Sequence, residues 1–464
     1  MNIIFSKKWT IIIILATILV SAWLYRFSFS SYFFQDDWFS LQISKAKNLN
    51  DFLVFFIPRK DVIYYRPLGM QVPFFLLNKF FGLNSLPFRM VVLVTHAVNI
   101  FLVYTLVRLL LKDKKIALMV AFFYGTSAVH FLIFYWFAIY AFILGPAFFF
   151  LSFILYILYL KNKNKTYYFF SLIIFFMGLA TNEIVSVLPI ILFFYELFLR
   201  KKIIIKRLIP YFFLVFILLL VRFIFFTPPS TGVYQLSLGK HILSNLKTYL
   251  FWSFNWSEKL TEQMISMFVF NDKITGLFSN YALTAVITFS VLFIILWVFP
   301  LILIIVSGKI KSFIPIIFFG FVWFISGLLP VLFFTDHKFS YYLPIPLVGL
   351  LILSLYFYTY LIRQIYIYAK CLVYFLLFLL NIVWLWSSIA TVNFNTKNHW
   401  APWSAFLSKN LINNIKSEVL KQQSLTDKIY IPYLPEYKSA LNDQDAFKVV
   451  FGREDIITIY TNDK

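Results

Sequence analysis

Apolar runs of about 20 residues recur along this chain, each long enough to cross the roughly 30 Å hydrocarbon core of a bilayer. Inside a bilayer the backbone must satisfy its own hydrogen bonds, so such runs can only fold as helices. In order they predict eleven spans: 9–29, 86–111, 116–134, 138–160, 167–181, 184–199, 208–226, 281–306, 313–334, 341–362 and 371–390. With 61% of 464 residues hydrophobic, the chain has more apolar surface than a soluble domain can bury. The fold class that follows is an all-α polytopic membrane protein.

Eleven crossings place the two termini on opposite sides. The net charge of +22 would suggest a nucleic-acid partner in a soluble chain. Here the basic residues sort by side. Lys7, Lys8, Arg108, Lys112, the run Arg200-Lys201-Lys202 and the pair Lys206-Arg207 fall in segments on the N-terminal side. The short turns opposite hold only Lys338. That asymmetry places the N-terminus in the cytoplasm and argues against nucleic acid. The first run follows Lys7-Lys8 as a signal peptide would, but the flank after Arg26 is a poor cleavage site, so it is read as a retained span. Cys371, the single cysteine, excludes an intrachain disulfide or a thiolate cluster and reads as a small buried apolar residue.

Three segments stay outside the membrane, all on the outer side: 30–85, 227–280 and 391–464. The first carries two apolar stretches too short to span, read as interfacial helices joined by a turn around Pro58-Arg59-Lys60-Asp61. The second opens on Thr227-Pro228-Pro229-Ser230 and holds a similar stretch from His241 to Trp256. The chain thus divides into a membrane module, 1–390, and a small α/β tail, 391–464. In the tail, the segments beginning at Lys428 and Asp455 read as short strands.

The stretch Gln35-Asp36-Asp37-Trp38 poses the functional question. Adjacent carboxylates repel, and desolvation near a membrane raises their cost. One alternative is that either acid caps a helix starting near Trp38. Another is a cation-binding pair without catalysis. A third is that one carboxylate is a general base at the water–lipid boundary while its neighbour hydrogen-bonds the acceptor or tunes the base. Base catalysis needs cations for an anionic leaving group, and Arg66 in Tyr64-Tyr65-Arg66-Pro67-Leu68 and the turn Asp336-His337-Lys338 lie on the same face.

A paired acid soon after the first span, followed by Tyr-Arg-Pro-Leu in the same loop, resembles the GT-C superfamily of membrane glycosyltransferases. The closest flavour is the protein O-mannosyltransferase-like and TMTC-like branch. His130, Thr181-Asn182-Glu183 and Tyr341-Tyr342-Leu343-Pro344 add further matches, although the arginine that opens the family's last motif is missing. The resemblance implies a GT-C-type bundle that moves a sugar from a polyprenyl-phosphate donor, with inversion, to an extracytoplasmic protein hydroxyl or envelope glycan or lipid. It implies Asp36 as base with Asp37 in support. Arg66, His337, Lys338 and Tyr341 would hold the donor phosphate, and Tyr65, His130, Glu183 and Trp136 the acceptor or sugar. No cofactor is implied. Because His130 lacks the acid that follows it in that branch, no divalent-metal site is expected. For Trp136 and Tyr140 an interfacial aromatic belt is preferred over sugar stacking.

Other polar residues have simpler readings. Glu196 pairs with Arg200 four residues on, His96 and Asn99 make interhelical hydrogen bonds, and Arg222 either snorkels or faces a lipid phosphate. A transporter or flippase is the rival function, but it would need charges at the midplane in repeated halves. An O-antigen ligase would carry its catalytic loop late in the chain. The Phe/Ile/Lys/Asn-rich composition points to a bacterial plasma membrane.

Overall fold

In the computed structural model the described residues are 7–461, less 60, 61, 63, 227–231, 233, 267, 272–275 and 423–426. The expected break at Lys60-Asp61 and the opening of the second loop at 227–230 lie outside the described residues. Among the described residues, eight helices are long and apolar enough to cross a membrane: Lys7–Leu24, Ser85–Leu111, Lys114–Tyr135, Phe137–Asn162, Phe278–Val306, Ile310–Leu332, Pro344–Tyr368 and Lys370–Asn398. Two shorter apolar helices, Lys165–Leu179 and Ile209–Phe225, and a segmented run occupy the remaining expected spans. That run passes from a 3-10 turn, Glu183–Val187, through Leu188–Phe194 to a π-helical end, Tyr195–Arg200. All eleven expected spans are therefore helical.

Ser85–Leu111, Lys114–Thr126, Ala141–Asn162 and Pro344–Tyr368 form the packed centre. Close approach is bought with small residues, as is usual between membrane helices. A Cβ on Gly349 would stand 2.7 Å from the Trp323 Cβ and 2.9 Å from the Gly320 carbonyl, so the two helices touch backbone to backbone there. Ile209–Phe225 is the opposite case, burying only Tyr211. The polar residues of the centre are committed. His96 bonds the Gly125 carbonyl at 2.9 Å and Asn99 the Ile143 carbonyl at 2.8 Å. Glu196 takes Arg200 at 3.2 Å and also the Tyr156 hydroxyl and the Ile204 amide.

The expected span 116–134 is interrupted. Its helix ends at Thr126, and Ser127 is extended. Asn255 fills the break, its side-chain oxygen accepting from the Ser127 hydroxyl at 3.1 Å and the Ala128 amide at 2.8 Å. Cys371 is exposed, not buried. It lies in the first turn of Lys370–Asn398, most of whose length faces outward.

The loop segments carry the short elements. Asp36–Ile43, Leu49–Val54 and Gln71–Phe81 are the helices of the first loop, so its first apolar stretch is two helices, not one. His241–Ser253 is the helix of the second. The last membrane helix runs past 390 to Asn398, and Trp400–Gln422 follows after one residue. Beyond them Lys428–Pro432 and Ile457–Thr461 pair in parallel, Lys428 opposite Ile457. Two helices, Pro435–Ala440 and Asp445–Phe451, connect the strands.

Candidate active site

The helix that carries the acid pair starts at Asp36 itself, preceded by Gln35 at φ 49°. A non-glycine residue in this left-handed region needs outside support. It comes from the tail: the Gln35 amide donates to the Ala440 carbonyl at 3.0 Å, and its side chain donates to the Ser439 hydroxyl at 2.8 Å. Neither aspartate caps the helix. Both occupy its first turn, where the helix dipole favours negative charge.

One residue's rotation, about 100° around the helix, sends the two acids to different surroundings. Asp37 is fully buried. Its oxygens accept from the Ala138 amide at 2.6 Å and the Phe34 amide at 3.4 Å, and Arg89 stands 3.6 Å away, also fully buried. Arg89 in turn donates to the Tyr32 carbonyl at 3.1 Å. Burial pushes the Asp37 carboxyl up to about 7 against the pull of Arg89. Asp36 points into a cavity of about 750 Å³ and has no hydrogen-bond or ion-pair partner among the described residues. Burial pushes its carboxyl above the usual aspartate range.

Across the cavity, Arg66 and Glu183 form a bidentate pair, with Nε donating to Oε2 at 2.8 Å and Nη2 to Oε1 at 2.5 Å. Local packing sets this up. The Leu68 amide donates to the Ala180 carbonyl at 3.1 Å, and Gly69 lies so close that a Cβ would collide with the Thr181 carbonyl. The loop bearing Arg66 is thus pressed onto the turn bearing Glu183. The Tyr64 and Phe142 rings lie over the guanidinium at 4.4 and 4.8 Å. Burial opposes ionisation of Glu183, but Arg66 and the nearby Arg222 carry its carboxyl down to about 2.

His337, Tyr341 and Tyr342 form a third wall. The Tyr342 hydroxyl meets His337 Nδ1 at 2.8 Å, and Tyr234 lies against the imidazole with centroids 4.3 Å apart. Burial, reinforced by Arg66, pushes His337 down to about 4. Lys338 is not part of the cavity wall. Tyr65 is, with its hydroxyl donating to the Phe56 carbonyl at 2.9 Å.

Trp136 reaches the cavity and His130 does not. Trp136 is not in an interfacial belt. It is buried in the cavity wall, edge-on to Trp400 at 5.3 Å and beside Phe34. Tyr140 is buried too, bonded to Thr95 at 2.8 Å. His130 does not reach the cavity: it is wholly buried in the break after Thr126, its Nε2 on the Tyr124 carbonyl at 3.0 Å and its ring 4.5 Å from that of His96. A histidine beside a helix break serves the backbone first.

Sequence reasoning did not single out Tyr234, Trp400 or Arg89. No local pattern marks Tyr234 or Trp400, which are far along the chain from Asp36. Arg89 carried one usable signal, a charge inside an apolar run. Beyond its charged end, the cavity continues as an apolar groove between Glu183–Phe194, Ile209–Phe225 and Ile310–Leu332, lined by Ile190, Leu218 and Leu329 among others. Among the described residues no three His, Cys, Asp or Glu side chains converge.

No family model and no curated protein sequence matches the chain. Solved structures do. The Archaeoglobus fulgidus oligosaccharyltransferase in its apo form aligns with a TM-score of 0.54 at 13% identity, covering 99% of this chain and 65% of that one. The same enzyme tethered with an acceptor peptide containing the NVT sequon aligns at 0.51, with 13% identity and coverages of 99% and 64%. This chain thus spans slightly less than two thirds of the length of those proteins. The likeness is one of fold: a multi-pass, all-α membrane architecture.

Proposed function

We propose that this protein is a GT-C-type membrane glycosyltransferase that transfers a sugar from a polyprenyl-monophosphate donor to an acceptor hydroxyl outside the cytoplasm. The observation that carries the reading is Asp36, a carboxylate with no partner among the described residues, facing a cavity that joins a charged pocket to an apolar groove. A lipid-linked sugar has that same division into charged head and apolar chain.

In the reaction, the acceptor oxygen attacks the anomeric carbon from the side opposite the phosphate, and the configuration inverts. The carbon–oxygen bond to phosphate breaks, its electron pair leaves with the phosphate, and Asp36 takes the acceptor proton. The phosphate gains a negative charge at that moment, and cations fixed nearby lower the barrier. Asp37 acts at one remove: with Arg89 it anchors the helix that aims Asp36. Arg66 and Glu183 form a rigid wall, and His337, Tyr341 and Tyr65 offer polar groups to the donor head. Trp136 with Trp400 gives an aromatic surface on the Asp36 side, suited to a sugar or acceptor. The motif order favours the O-mannosyltransferase-like branch, and the basic-residue asymmetry favours a cytoplasmic N-terminus in a bacterial plasma membrane.

Membranes carrying wild-type or Asp36→Asn protein, incubated with radiolabelled polyprenyl-phosphate sugars, test this. Label should leave the lipid in the wild type and stay there in the folded variant. Label that stays on every donor in both would defeat the reading.

A further inference from the structure

The cavity's charges are unevenly committed. Arg66 spends its Nε and Nη2 donors on Glu183, and two aromatic rings cover its faces. Arg222 differs. It lies in the last turn of Ile209–Phe225 and lines the cavity. Among the described residues it has no hydrogen-bond or ion-pair partner. Its position on the helix matters as well. Val215, Leu218 and Leu219 also line the cavity, three to seven residues earlier and so on the same helical face. A phosphate held by Arg222 therefore has an apolar chain's path running directly away from it.

The charge balance limits what such a phosphate can be. The described wall holds two carboxylates, Asp36 and Glu183, and two guanidiniums, Arg66 and Arg222. A ligand with one negative charge finds one uncommitted cation. A second negative charge would find none and would sit in the same cavity as Asp36, where like charges raise a carboxyl's pKa and blunt a base.

We propose that Arg222 anchors the donor phosphate, and that its standing as the single uncommitted cation of the described wall selects a phosphodiester of one charge over a diphosphate. This rests on the lipid-linked donor reading above and names its specificity determinant.

The test uses the full-length protein in detergent at pH 7 with two probes of equal chain length, a polyprenyl methyl phosphodiester and a polyprenyl diphosphate. Wild type should bind the diester about tenfold more tightly or better, in line with one well-placed charge-assisted contact. Arg222→Ala should lose about tenfold or more of that affinity, and Arg222→Lys should recover most of it. Glu183→Gln releases Arg66 and should narrow the gap between the two lipids, provided its melting temperature shows it folded. Equal or tighter binding of the diphosphate by wild type would overturn the proposal. So would diester binding by a folded Arg222→Ala at wild-type strength. If both lipids bind without regard to charge or Arg222, this proposal falls while the donor reading stands. If neither binds, the donor reading falls with it.

Discussion

Asp36 and Asp37 are neighbours in sequence and belong to two different regions of the molecule. Behind the site, Asp37, Arg89, His96, Asn99 and His130 each engage a backbone group or an opposite charge in a tightly packed centre. In front of it, Asp36 and Arg222 line an open cavity without partners among the described residues. Polar groups in an apolar medium are costly unless paired, so those that are paired hold the structure and those left unpaired are available to a ligand. The difference between the regions lies in commitment, not in residue type.

Swapping the two aspartates' fates in turn is the strongest way to break this comparison. Asp36→Asn should reduce transfer by about 10²–10⁴-fold, the range of a lost general base, with no change in melting temperature. Asp37→Ala should do the reverse. It leaves Arg89 buried without its counter-charge, at a cost of about 3–5 kcal/mol, read as a lower midpoint on heating the solubilised protein. Equal stability losses for the two variants would erase the distinction.

His130→Ala sharpens the comparison at a smaller scale. It should destabilise by about 1–3 kcal/mol, from the lost bond to Tyr124, while the donor KM stays put. A raised KM with unchanged stability would return His130 to the site. The pH profile of kcat/KM is a gentler probe. Asp36 must be ionised to act, and burial raises its pKa, so the rate should fall on acidification with a midpoint above the ordinary aspartate value of about 3.9. His337, held near 4, adds no limb close to neutrality. Smallest of all, Ser439→Ala removes one exposed bond from the brace on Gln35. It should cost about 1 kcal/mol or less and lower kcat more than it changes KM.

Much of the fold was legible before any coordinates, because hydrophobic length is a local property. All eleven apolar runs are helical, and the strands at 428–432 and 457–461 were readable from alternation and proline. The breaks were less so. The interruption at Ser127 depends on Asn255, more than a hundred residues away, and nothing near Ser127 announces it. Site residues followed the same rule. Asp36, Arg66, Glu183 and His337 stood out as charges beside spans and do meet in one cavity. Lys338 stood out equally and misses it. Cys371 failed for a related reason: an apolar run tells that a helix sits in lipid, not which face packs against protein.

By itself, then, the sequence determined that this chain crosses a membrane repeatedly, where the helices lie and which few charges stay near their ends, since the bilayer acts on each segment separately. Only the tertiary structure decided which of two adjacent carboxylates faces the cavity, that Arg66 is already paired with Glu183, that His337 sits against Tyr342 and Tyr234, and that Trp400 of the tail joins the wall. Those outcomes depend on side chains from distant segments meeting at distances of a few ångströms, and a lone segment carries no record of its partners.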